Sequence, residues 1–145
     1  MSTRAVNVFS CNNTEKTFSR FAILAWCNKL LDSNIQKIDD LCTGAAYCSL
    51  MDILFPDSIN LSHVKFDSRV DRDYIHNFTV LQKCFTKLKV KKGIPIEKLI
   101  NGKFQDNYEF AIWFRRFFDA NYGKQIETET KIARCKSVSL EKLIT

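Results

Sequence analysis

The sequence predicts an all-α domain, a helical bundle of four main helices joined by shorter connecting helices. Three observations carry this. In the segment from Lys103 to Tyr122, apolar residues fall at Phe110, Trp113, Phe114, Phe117 and Phe118, offsets of 3, 4, 7 and 8 that trace one face of an α-helix. Upstream, apolar stripes with the same period end at proline or glycine rather than alternating as strands would. Finally, 145 residues that are 46% hydrophobic and 12% aromatic supply one sizeable core without metals or disulfides.

In chain order, residues 1 to 17 read as a flexible arm, polar apart from a small cluster from Ala5 to Phe9. Ser19 is the expected N-cap of a first helix reaching Leu31, with Ile23, Trp26, Cys27, Leu30 and Leu31 on its inner face. Phe21, beside this face, is expected to be buried against a neighbouring helix on residue type, the alternative being an exposed ring that adds a hydrophobic contact to a partner. A second, long helix is expected from about Ile38 to Phe55, where Pro56 stops it. Gly44-Ala45-Ala46 in its middle costs helix propensity but permits close approach of a neighbour. This helix is apolar most of the way round and belongs at the centre of the domain.

Residues 56 to 67 form a connection with a turn at Asp57-Ser58 and anchors at Leu61, Val64 and Phe66. Ser68 with Asp71 resembles a capping box for the next helix, which places Tyr74, Phe78, Leu81, Phe85 and Leu88 on one face and ends at Lys91-Lys92-Gly93. Pro95 opens a short helix through Ile100, closed by Gly102. Lys103 and Gln105 then lie in a non-helical connection, Asp106 caps the last helix, and Glu109 is its acidic partner. That helix is predicted to stop near Tyr122-Gly123. Residues 123 to 145 contain no aromatic beyond that point and no heptads, and read as a linker or tail.

Charge narrows the partners. The chain carries 22 Lys and Arg against 16 Asp and Glu, a formal net charge of +6. Residues 83 to 103 alone hold seven lysines against Glu97, so the excess is concentrated. Such a stretch attracts acidic partners, whether nucleic acid, anionic lipid or an acidic protein, without choosing among them. No apolar run approaches the roughly 20 residues needed to span a bilayer, and there is no secretory signal, so the chain is expected to be soluble and intracellular. The six cysteines are accordingly expected to be reduced thiols, four of them (Cys27, Cys42, Cys48, Cys84) acting as small core hydrophobes. Neither a C-x-x-C pair nor two histidines at ligand spacing is present, so no metal or other cofactor is expected. Enzyme motifs are missing too: there is no Gly-rich phosphate loop, G-x-S-x-G or H-E-x-x-H.

Four segments together resemble a known family. The AVNV of the first arm, AWCNKLL, LCTGAAYCSLMDILFP and IPIEKLINGKFQDNYEFAIWFRRFFDANY are similar, in order and spacing, to the amino-terminal calponin-homology domain of the end-binding (EB) family of microtubule plus-end tracking proteins. The similarity spans about residues 5 to 122, which sets the domain at 18 to 122. It implies a calponin-homology bundle, binding without catalysis, and tubulin in the microtubule lattice as partner, with no nucleic acid and no membrane. Family members bind between protofilaments and sense the nucleotide state of tubulin at growing ends. Cytoplasmic residence at the cytoskeleton, plus ends and spindle follows from the same resemblance.

Carried over by position, the tubulin-facing residues are Arg20, Arg69, Lys92, Lys98, Lys103, Gln105 and Arg115. Arg116 is left out, because it could pair with Asp119 or Glu109 on its own helix. The chain departs from the family at Ser62 and His63, where two lysines are usual; this removes positive charge at neutral pH, since an ordinary His titrates near pH 6.5. Without a coiled coil the chain as given is expected to be monomeric, and dimeric if the natural protein continues into one. An actin-binding or scaffold domain is the alternative, because the fold serves filaments of several kinds.

Overall fold

The computed structural model describes residues 4–8 and 18–144, with side chains described as far as Lys124. Among these residues the order is α1 (Arg20–Leu31), a 3-10 segment (Ile38–Thr43), α2 (Ala45–Leu54), a 3-10 turn (Leu61–His63), α3 (Asp71–Lys87), α4 (Ile96–Ile100) and α5 (Phe104–Ile144). No strand occurs among them. The all-α prediction is therefore met, and α5 packs against α1, α2 and the first 3-10 segment while α4 lies on α3.

Ser19 caps α1 as predicted: its Oγ accepts from the Ala22 backbone N–H at 3.1 Å. Ile23 and Cys27 are fully buried, and Trp26, Leu30 and Leu31 pack partly against the core. Phe21 is the exception. It is 68% exposed, contrary to the burial expected from its residue type. The helical wheel explains this, because two residues at about 100° each place Phe21 opposite Ile23.

The predicted helix from Ile38 to Phe55 is split. Gly44 adopts φ +78°, a left-handed conformation that ends the 3-10 segment and starts α2. Its missing Cβ also makes room: one built there would lie 3.1 Å from the Phe78 ring. Close approach was legible in the sequence, but the chain reversal it needs was not.

Asn77, fully buried on α3, ties the connection between α2 and α3 into place. Its Oδ1 accepts from the Lys65 backbone N–H at 2.8 Å, while its Nδ2 donates to the carbonyls of Thr43 at 2.9 Å and Lys65 at 3.0 Å. Val64 and Ile59 are the buried anchors here; Phe66, expected as one, is 50% exposed. Ser68 Oγ donates to Asp73 and accepts from the Val70 N–H at 3.3 Å rather than pairing with Asp71, and Val70, in the N-cap position, makes no side-chain cap bond. At the other end α3 stops at Lys87, where Lys89 takes φ 65°, before the predicted Lys91-Lys92-Gly93 stop. Phe78, Leu81, Phe85 and Leu88 are buried as their spacing predicts.

The largest corrections concern the ends of α5. It begins at Phe104, so Gln105 and Asp106 are helical and Asp106 is not the N-cap. Buried Asn107 is the reason: its Nδ2 donates to the carbonyls of Leu99 at 3.1 Å and Lys103 at 2.9 Å, fastening α5 to α4 one turn earlier. At its far end the helix does not stop at Gly123 but continues to Ile144. The amino-terminal arm is also docked over residues 4–8 rather than flexible there. Ala5 is buried, Asn121 exchanges hydrogen bonds with Val6 at 2.7 and 2.9 Å, and Trp113 Nε1 donates to the Val8 carbonyl at 2.7 Å.

Cys27, Cys42, Cys48 and Cys84 are free thiols; Cys11 and Cys135 lie outside the described residues or side chains. Burial pushes Cys27 and Cys48 up to about 12 from an ordinary 9.0. Neither is a nucleophile at neutral pH.

Two predictions follow from this core. Gly44→Ala forces a strained φ and a contact with Phe78, and should lower unfolding free energy by about 1 to 3 kcal/mol in urea titrations with helical content retained. The raised thiol values make the protein alkali-sensitive: the stability contributed by neutral Cys27 and Cys48 is complete below pH 9.0 and is lost as pH rises toward about 12. Unfolding midpoints measured from pH 7 upward should fall across that window.

Candidate functional site

Three of the seven expected contact residues converge where α1 and α5 begin. Arg20 is exposed, and its guanidinium lies 4.9 Å from the Phe21 ring centre and 5.8 Å from that of Phe104. Phe104 stacks on Tyr108 at 5.2 Å, and the Tyr108 hydroxyl donates to the Phe18 carbonyl just before α1. The two helix starts are thus clasped by aromatic rings, with exposed Lys103 and Gln105 on either side of Phe104 in the chain. Gln105 Nε2 donates to Glu109 Oε1 at 2.9 Å, which engages a nearby carboxylate. Lys98 is exposed on α4, anchored through buried Leu99, and Gly102 at φ +71° turns the chain from α4 into Lys103.

Lys92 stands at the edge of the core. Its ammonium sits 5.1 Å from the Trp113 ring centre, and its carbonyl accepts from Gln82 Nε2 at 3.4 Å. Gln82 also accepts from the Ile94 N–H at 3.0 Å, so α3 holds the whole loop that presents Lys92. A cation over an indole face is both positioned and partly desolvated, so part of Lys92 is already committed to the fold.

Arg115 differs from the rest. Its guanidinium packs 4.3 Å from the Phe18 ring centre and 5.1 Å from that of Trp26, and Nη1 donates to the Ala22 carbonyl at 3.3 Å. Its Nε lies 3.6 Å from Asp119 Oδ2, so Arg115 pairs with the carboxylate one helical turn further on. Burial raises the Asp119 carboxyl above its ordinary value, and the neighbouring Arg115 charge works against that rise. The geometry makes Arg115 a strut between α5 and α1. Arg69 is exposed in the loop just before α3, where its charge is felt by the Tyr74 phenol; no described contact joins it to the other six.

Two residues in this constellation were not singled out as site residues. Phe104 is legible afterwards as the first member of an i, i+4 aromatic pair with Tyr108. Phe21 is legible from its position on the wheel, opposite the buried stripe.

His63 and His76 line a cleft of about 250 Å³ with Cys84 and Ser58. His76 Nε2 is bonded to the His63 carbonyl at 2.7 Å, and the Cys84 thiol, raised by burial, donates to Ser58 Oγ at 3.6 Å. No thiolate–imidazole pair forms. Among the described residues no group of three or more His, Cys, Asp and Glu could hold a metal ion, and no helix is long and apolar enough to cross a membrane.

Comparison with known proteins agrees with this architecture. The calponin homology (CH) domain family model matches residues 19–122. A solved structure described as "Structural Basis of Microtubule Plus End Tracking by XMAP215, CLIP-170 and EB1" contains a chain similar to this one at 35% identity and a TM-score of 0.66. The similarity covers 72% of this chain and 98% of that one. With most of its length matched and the helical packing as described, this chain belongs to the calponin homology domain family.

Proposed function

We propose that this chain is a microtubule-binding module that recognises the lattice between protofilaments at growing plus ends and regulates microtubule dynamics. The observation that carries the reading is the similarity, over nearly the whole of the matched chain, to a structure concerned with plus-end tracking. The surface supports it. Arg20 on α1, Lys98 on α4 and Lys103 in the connection into α5 are exposed cations, with Lys92 earlier in the same basic stretch. An acidic partner would be steered and oriented by these charges.

Each exposed ion pair contributes only about 0.2 to 1 kcal/mol, so several must act together, and exchange should be rapid. Lys103, Gln105 and Arg20 form the centre of the proposed contact, with Lys98 and Lys92 extending it. Arg69 supplies a separate contact. Arg115 acts by holding α1 against α5, with any direct contact secondary to that packing. The role is binding without catalysis, in the cytoplasm at microtubule ends and, in dividing cells, the spindle. If the natural protein continues into a coiled coil, dimerisation would place two such surfaces on one lattice.

Charge reversal at Lys92 and Lys103 together should abolish co-sedimentation with stabilised microtubules while helical content is retained. Rising salt should weaken wild-type binding steeply, because exposed charges are screened within about 8 Å at physiological ionic strength. Pelleting with actin filaments but not with microtubules would favour the actin-binding alternative. Arg115→Ala should behave differently from Lys103→Glu. Loss of its two ring contacts and its carbonyl bond should lower stability by about 1 to 2 kcal/mol in thermal melts, whereas Lys103→Glu should leave the melting temperature unchanged.

A further inference from the structure

Phe21 is the most exposed large hydrophobic side chain among the described residues, at 68%. It cannot turn inward, because Ile23 and Cys27 commit the opposite face of α1 to the core. Nor does it stand alone. The Arg20 guanidinium lies between the Phe21 and Phe104 rings, at 4.9 and 5.8 Å from their centres. Phe104 is fixed in turn by stacking on Tyr108.

We propose that Phe21 is the apolar anchor of the binding surface: its ring enters an apolar recess on an acidic protein surface, that of tubulin in the lattice, while Arg20 and Lys103 engage the carboxylates around that recess. This rests on the microtubule reading above. Charge complementarity selects the partner, since Arg20 and Lys103 are exposed cations without a described ion pair and Glu109 is engaged by Gln105. Asp106, in the first turn of α5, is half-buried. An anionic surface without a recess would leave the ring in water. Aromatic and arginine side chains that lose their water together at the middle of a contact are the residues that dominate affinity, with weaker polar contacts around them. Arg20 held against two rings also keeps fewer conformations to lose on binding.

The test is co-sedimentation of the 145-residue chain with stabilised microtubules over a series of salt concentrations, comparing wild type, Phe21→Ala, Phe21→Trp and Lys103→Glu. Phe21→Ala should raise Kd about tenfold with an unchanged melting temperature and an unchanged slope of affinity against salt, since no charge is removed. Phe21→Trp should keep binding, and Lys103→Glu should flatten the slope. Wild-type affinity in Phe21→Ala overturns this inference alone and leaves the microtubule reading standing. A loss accompanied by a flatter slope also overturns it, because the ring would then act only by placing Arg20. Failure of the wild type to pellet removes the microtubule reading, and this inference with it.

Discussion

The structure depends on the aromatic face of α5. Tyr47 from α2 meets Phe110 edge-on at 5.0 Å and Phe114 at 4.9 Å; Phe78 and Phe85 from α3 reach Phe110 and Phe117 at 6.5 and 6.0 Å. Trp113 stacks on Phe117 at 5.2 Å, and Trp26 from α1 meets Phe118 edge-on at the same distance. Three helices therefore find their positions by packing on one stripe. Removing a single buried Phe from such a centre costs about 3 to 5 kcal/mol, comparable to a large share of a small domain's stability. The polar edge of the same helix holds the amino-terminal arm through Trp113 and Asn121.

This core decides where the basic residues go. Lys92 is aimed by the indole of Trp113, Arg20 by the ring of Phe104, and Arg115 by Phe18 and Trp26. In each case an aromatic side chain that contributes to packing also orients a cation at the margin. The degree of commitment differs. Arg115 has given up most of its freedom to the fold, Lys92 part of it, and Lys103 none that the described contacts show. Under the proposed binding role, a surface graded in this way would keep its free charges for a partner while its rigid ones define the geometry.

Much of this was legible in the sequence, and the misses share a cause. Periodicity places Phe78, Leu81, Phe85, Phe110, Trp113, Phe114 and Phe117 inside, because a 3.6-residue repeat converts directly into a buried face. Ser19 is recognisable as a cap from its own hydroxyl. The capping role expected of Asp106 fails because Asn107, buried between α4 and α5, binds two carbonyls and moves the helix start upstream. Gly44 was readable as a point of close approach but not as a left-handed break: residue spacing does not encode φ, and the ring its missing Cβ makes room for, Phe78, lies 34 residues away. Phe21 and Phe66 were assigned by residue type, which carries no direction; their position on the element decides exposure.

By itself the sequence determined the helical class, the inner faces, the bounds of α1 and α4 and the concentration of charge, because these depend on spacing and on residues within a turn of one another. Tertiary structure alone decided the rest. Arg115 became a strut and Phe21 an exposed ring beside Arg20, and Lys92 came to rest on Trp113. Each of these outcomes depends on side chains from separate helices meeting in space. No local pattern encodes which cation will find an aromatic partner and which will be left facing water.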